Sequence, residues 1–356
     1  MNAALVDGIV KAVLYEGYML YPYRPSAVKN RQRFNFGVVY PRAYSEAQGG
    51  SGTDAWTMQT ECVVLGDAQT QCTVRVRFLR MVTRSIAKLR APANDLSAAN
   101  KAAIENVERL EVNGKTFQPW QEAGEEVVEV TEFNLSALCA QPMQWPFRLS
   151  SQQEQEAIRN EQGWIVGIIR RETASIAGMV ELTAERLNDG LFRLTARITN
   201  ISRFTTASPA SRDEALARSL VSAHTILEAR AGEFVSLVDP PDAHREFARA
   251  CQNIGTWPVL VGEEGERDTM LSSPIILYDY PQIAPESPGD LFDGAEIDEI
   301  LSLRIMTLTD EEKREMRESD DRARNILERT ETLPEEQLMK LHGALRGLRA
   351  VKSEAP

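Results

Sequence analysis

Apolar and polar residues alternate with a period of two through much of the first half of the chain. That spacing sends successive side chains to opposite faces of a strand. In the run 58–65, Met58, Thr60, Cys62 and Val64 share a face. After Gly66-Asp67 the alternation resumes, with Cys72, Val74, Val76 and Phe78 on one face and Thr73, Arg75 and Arg77 on the other. The two runs and their Gly/Asp connection predict a hairpin that sets Cys62 across from Cys72. A second hairpin is predicted for 179–187 and 191–198 around Asn188-Asp189-Gly190, because Asn and Gly tolerate the positive φ of a tight turn. Val180, Leu182 and Ala184 then share a face, as do Phe192, Leu194, Ala196 and Ile198. Further strands are expected at 34–40, 126–133 and 164–170, with one helix at 97–110 closed by Asn113-Gly114.

The texture changes near residue 205. Ser211-Arg212-Asp213-Glu214 has the form of a capping box, and a helix behind it carries Leu216, Leu220, Val221 and Leu227 on an apolar stripe. A second helix is expected at 242–253. Asp293-Gly294-Ala295-Glu296 and Thr309-Asp310-Glu311-Glu312 repeat the capping pattern, and a last helix is expected to begin near Thr332-Leu333-Pro334-Glu335. The expected fold is therefore α+β: an antiparallel, β-sandwich-like N-terminal half, followed by a helical C-terminal half with an extended Pro-rich arm.

Composition fits this picture and narrows the function. The chain has 356 residues, 43% hydrophobic and 26% charged, with a formal net charge of −12. At roughly 150 residues per domain two domains are expected. The first is a β-rich domain over 1–205 and the second a helical domain over 206–356 that includes the arm 256–294. No run approaches the roughly 18 to 20 apolar residues of a membrane span. The N-terminus carries Asp7 and Glu16, without the basic region and small-residue site of a signal peptide. The acidic balance argues against nucleic acid as a partner. Four cysteines without a CxxC pair make the reducing cytoplasm the expected location.

Candidate chemistry is sparse. His224, His244 and His342 lie in separate predicted helices, without the paired spacing of zinc ligands; His244 and Cys251 could share a helix face. Cys62 and Cys72 could form a redox-sensitive cross-strand pair or serve as small buried apolar residues. Asp290, Asp293, Glu296, Asp298 and Glu299 form the densest acid cluster, but their spacing is not that of an EF-hand loop. Helix capping by Asp293 and Glu296 accounts for two of them. There is no phosphate loop, GxGxxG or GxSxG, so no catalytic residue, cofactor or metal is assigned. A metal-handling or redox role using Asp290, Asp293, Glu296 and Asp298 with the cysteines is the alternative to a non-catalytic one.

Two stretches are poorly explained by core packing. Residues 15–44 hold six tyrosines together with Arg24, Lys29, Arg31, Arg33 and Arg42, and no acid lies between Glu16 and Glu46. Tyr and Arg dominate interface energetics, so Tyr21, Tyr23, Arg24, Arg31, Arg33, Tyr40 and Arg42 are candidate partner-binding residues. The other reading is contact with this protein's own acidic half. The second stretch, 255–294, has Pro258, Pro274, Pro281, Pro285 and Pro288, yet Ile275, Ile276, Leu277, Tyr278, Tyr280, Ile283 and Phe292 are too apolar for a free linker. It must lie against the fold or a partner, which adds Tyr278, Tyr280 and Pro281 to the candidates.

The strings LYEGYMLYPYRPSAVKNRQRFNFGVVYPRAYSEA and TMLSSPIILYDYPQIAPESPGDLFDGAEIDEIL, continued through TLTDEEKREM, resemble an uncharacterised bacterial protein family encoded beside nickel–iron uptake hydrogenase genes. The resemblance implies a role in hydrogenase assembly, maturation or scaffolding, with a hydrogenase subunit or maturation factor as partner. It brings no catalytic residues with it. The expectation is a non-catalytic accessory protein acting through protein–protein contacts.

Overall fold

The fold is a computed structural model that describes residues 3–24, 27, 30, 33–34, 36–48, 54–205, 211–283, 289, 291, 298–334 and 336. Helix α1 (Ala3–Leu14) and the short α2 (Arg42–Ala47) precede β1 (Thr57–Ala93), a strand of 37 residues. Next come α3 (Leu96–Lys101), β2 (Ile104–Asn106), a small hairpin of β3 (Leu110–Val112) and β4 (Lys115–Phe117), β5 (Trp120–Asn134) and α4 (Leu135–Ala140). Five strands follow: β6 (Met143–Leu149), β7 (Gln152–Arg159), β8 (Ile165–Thr173), β9 (Ile176–Asn188) and β10 (Leu191–Asn200). After α5 (Arg212–Leu216) come β11 (Val221–Phe234), a 3-10 turn with α6 (Arg245–Arg249), β12 (Trp257–Leu260) and β13 (Thr269–Ser273). Helices α7 (Asp298–Met306), α8 (Asp310–Ser319) and α9 (Asp321–Glu331) close the described chain.

Eleven strands form one antiparallel network organised by β1. Around Val64 and Leu65, β1 is flanked by β10 and β11. From Gln71 onward it is flanked by β5 and β11, and at Thr83 and Arg84 by β5 and β8. Hence β10 and β5 share one edge of β1, and β11 and β8 the other. The branch β10-β9-β6 folds back so that Phe147 of β6 meets Phe78 of β1, ring centroids 6.3 Å apart. In place of the expected pair of stacked sheets, the described strands join one antiparallel sheet of eleven and the separate β3-β4 hairpin, with a common apolar core against the large sheet. Strands β11, β12 and β13, all beyond residue 205, belong to this same sheet.

The hairpin expected at 58–78 is replaced by the single strand β1. Gly66 keeps an ordinary φ, unlike Gly190 at 75°. Thr70 accepts the Asp67 N–H (2.8 Å) and donates to the Ala231 carbonyl (2.7 Å), so residues 67–70 bulge without reversing the chain. Cys62 consequently faces Leu194, whereas Cys72 faces Ala229 and Phe133. The expected 179–198 hairpin forms, with Val180 opposite Ile198 and Leu182 opposite Ala196. At 97–110 the helix stops after Lys101, because Ile104–Asn106 pairs with Ala87–Leu89 of β1. In place of the strand expected at 34–40, the described residues of that segment contribute an isolated bridge, Val39 to Leu220.

The Ser211 capping box is present, but its helix ends at Leu216 and the chain becomes β11. Both faces of β11 are covered: Ala223, Leu227 and Ala229 join the main core, while Ile226 packs with Val6, Ile9 and Val10 of α1. An apolar run buried on both faces has no period-two signature, and so it imitates a helical stripe. The helix expected at 242–253 is a 3-10 turn followed by α6 and stops at Arg249, before Cys251. The Thr309 capping box forms as expected. The Asp293 cap and most of the last helix lie outside the described residues.

Candidate functional site

The described residues of the Tyr/Arg segment largely turn inward against this chain. Tyr15, Tyr18, Tyr23, Phe34, Tyr40 and Tyr44 share a core with Met316, Ala323, Ile326 and Leu327 of α8 and α9. Tyr18 Oη donates to Asp320 (2.7 Å) and Tyr23 Oη to the Leu291 carbonyl (2.6 Å). Arg24 pairs with Glu312 (3.0 Å) and Glu315 (3.6 Å). Arg33 is buried, donates to the carbonyls of Tyr18 and Gln121 (2.6 Å each), and lies over the Trp120 ring at 4.0 Å. Burial lowers its pKa to about 10, which still leaves a cation at neutral pH. Tyr40 stacks on Tyr44 at 5.3 Å, and burial pushes its phenol up to about 12. Tyr21 is half-buried beneath Arg304, and Arg42 is spent on Glu46 and the Trp56 ring. Arg31 lies outside the described residues. Of the two readings of this segment, contact with the protein's own acidic half is the arrangement observed. Tyr23, Arg33 and Tyr40 present no surface to a partner.

Of the extended arm expected at 256–294, Trp257–Leu260 and Thr269–Ser273 are strands of the main sheet, and 284–288, 290 and 292–294 lie outside the described residues. The stretch 274–283 is described without helix or strand, and it is arranged differently from the Tyr/Arg segment. At one end Ser273 of β13 pairs with Trp257 of β12; at the other the Tyr280 N–H donates to the Leu260 carbonyl (2.7 Å). Residues 274–280 therefore run along the outer edge of β12. Asp279 fixes the far end by accepting from the Leu260 N–H (2.8 Å) and Ser236 Oγ (2.5 Å), and Tyr280 Oη donates to the Glu266 carbonyl (2.9 Å). At the near end Pro274 is buried against Gly37, whose φ is 64° and where a Cβ would come within 2.6 Å of the proline ring. Between these anchors the side chains alternate. Ile275 and Leu277 are half-buried, with Leu277 against the α1 cluster. Ile276 and Tyr278 point outward, 72% and 79% exposed. Val238, Trp257 and Ile283 are also exposed, and Trp257 lies at the near end of the row as the strand partner of Ser273. Pro281 is half-buried.

Elsewhere the polar groups are engaged in structure. A cleft of about 620 Å³ separates β5, β7 and β8 from α8 and α9. Within it Glu122 binds both Arg84 (3.1 Å) and Arg171 (2.9 Å), Glu156 binds Arg171 (2.8 Å), and Asp321 binds Arg324 (2.9 Å). These pairs neutralise one another within each wall, and Arg84 Nη2 crosses between the walls to donate to the Ser319 carbonyl (2.8 Å). Burial pushes the thiols of Cys72 and Cys251 up to about 12 and 11 and holds Cys62 well above its ordinary value, away from the thiolate a nucleophile or ligand requires. His224 is fully buried; its Nδ1 bonds the Ser222 carbonyl (2.7 Å), and burial lowers its pKa to about 4. Among the described residues no three His, Cys, Asp or Glu side chains converge on a metal position. Asp290, Asp293 and Glu296 lie outside those residues, while Asp298 opens α7. No helix among the described residues is long and apolar enough to cross a membrane.

No family model matches the chain, and no curated protein matches it. Sequence reasoning reached Tyr278 through the prolines and apolar residues around it. It missed Trp257, because a tryptophan beside a strand reads as core until the edge it occupies is known.

Proposed function

We propose that the protein is a non-catalytic accessory or assembly protein that docks a partner protein on the arm at 274–283. The resemblance to the family beside nickel–iron uptake hydrogenase genes makes a hydrogenase subunit or maturation factor the partner of choice. One observation carries the reading. Ile276 and Tyr278 are large apolar side chains left outward on a backbone anchored at both ends. Anchoring matters because a partner then meets an ordered surface and loses less to conformational entropy on binding. Free thiols at Cys62, Cys72, Cys139 and Cys251 support a reducing cytoplasm as its location. The net charge of −12 supports a protein partner over nucleic acid.

The test is co-purification from the native host with wild-type bait and with bait carrying Ile276→Asp and Tyr278→Asp. Both positions are exposed, so the variant is expected to fold with an unchanged circular dichroism spectrum. Loss of a hydrogenase-related protein from the variant eluate alone supports the reading. Equal recovery with both baits overturns it.

A further inference from the structure

The arm's surroundings specify the chemistry of what it holds, given that it is the docking site proposed above. Its outward row is apolar, but its rim is acidic. The turn after Leu260 exposes Glu263 and Glu264, and the loop that anchors Asp279 through Ser236 continues into exposed Asp239 and Asp242. Arg249 is exposed further along the 236–249 stretch. Arg245 is paired with Asp242 at 2.5 Å, and Arg267 is exposed on the same turn as Glu264. The balance at the Leu260 end of the row remains negative, as it is over the whole chain at −12.

We infer that the arm binds a cationic amphipathic segment of a partner protein. Its apolar side chains would cover Ile276, Tyr278 and Trp257, and its Lys or Arg side chains would meet the rim. A basic rim on the ligand side speeds encounter and selects partners, while the apolar centre supplies most of the affinity. A second copy of this chain fits less well, because an isologous contact through the arm would set the same acids against each other. An anionic lipid surface is disfavoured by the same charges.

The probe is a labelled 14-residue Leu/Lys amphipathic peptide, with a Leu/Glu peptide of the same pattern as control. Binding to the full chain is read by fluorescence anisotropy at 50 and 300 mM salt. The Leu/Lys peptide is expected to bind and the control not to. Ile276→Asp with Tyr278→Asp should weaken binding about tenfold or more. Glu263→Gln with Glu264→Gln should weaken it at least threefold at low salt, with the difference shrinking at high salt as screening takes over. Equal binding of both peptides, or Leu/Lys binding unchanged by the arm variant, overturns the inference. Sedimentation of the free protein as a dimer that the arm variant dissolves would also overturn it, in favour of a second copy. The two proposals fail separately. A native partner lost with the arm variant but indifferent to the Glu263/Glu264 variant and to salt refutes the cationic segment alone. A partner indifferent to the arm refutes the docking site itself.

Discussion

His224 gives the fold a pH dependence that can be worked out in advance. The imidazole is fully buried, its Nδ1 lies 2.7 Å from the Ser222 carbonyl, and Nε2 has no hydrogen-bond partner. A carbonyl can only accept, so Nδ1 carries the proton and Nε2 is a bare lone pair. Protonating it would place a cation in the core, facing Arg77 across the β1–β11 ladder. Burial is the larger cause of its lowered pKa and the Arg77 charge the smaller. The folded value is about 4 against an ordinary 6.5. Between those values the unfolded chain binds more protons than the native one. Stability is therefore full above pH 6.5 and falls as the pH drops towards 4. At roughly 1.4 kcal/mol per unit, the loss from this group is about 2 kcal/mol by pH 5 and about 3 kcal/mol by pH 4. Other groups also contribute to stability on the way to pH 4, so the informative quantity is a difference between wild type and variant. Urea unfolding of wild type and His224→Gln, whose amide can still donate to Ser222, should be followed from pH 7.5 to 4. The wild type should lose about 2 kcal/mol more than the variant by pH 5. Parallel curves, within about 0.5 kcal/mol, would refute the reasoning.

Three further outcomes follow from the packing. Arg33→Met removes two charge-assisted hydrogen bonds and the contact over Trp120; it should cost roughly 2–4 kcal/mol in urea unfolding, and a cost below about 0.5 kcal/mol would contradict its role as a core cation. Gly178→Ala drives a Cβ to 2.1 Å from the Phe147 ring and should cost roughly 1–3 kcal/mol, and a Phe147→Leu background should recover part of this; additive effects would deny the contact. With Ellman's reagent at pH 8, Cys62 and Cys72 should stay unreactive in the native protein and all four thiols should react after unfolding; a deficit of two in the unfolded protein would restore the disulfide that β1 excludes.

Local signals in the sequence were legible where they acted alone. Asn188-Asp189-Gly190 makes the turn its residues predict, and Ser211 and Thr309 cap the helices their spacing predicts. Legibility fails where a distant partner decides the outcome. Gly66-Asp67 looks like a turn, but Thr70 and Ala231 hold it as a bulge, and 161 residues separate that pair. The β11 stretch has no alternation because α1 covers one of its faces and the main core the other. The Tyr/Arg segment has the composition of an interface, and it is one; its counterpart is this chain's own α8 and α9, with Tyr18 reaching Asp320 across 302 residues. The arm was legible as an apolar, proline-bearing segment that must lie against something. Which of its side chains point outward follows only from the anchors at Gly37, Leu260 and Ser236, and those lie on three separate parts of the fold.

The most direct measurement of the central claim is photo-crosslinking in the native host, with p-benzoylphenylalanine in place of Tyr278. The same group in place of Gln153, an exposed residue of β7 far from the arm in sequence, serves as the control. If the arm is a docking surface, irradiation should yield a discrete adduct at position 278 that the control lacks, and mass spectrometry should identify a hydrogenase subunit or maturation protein within it. Adducts equal at both positions, or none at 278 while the protein is folded and expressed, would contradict the account.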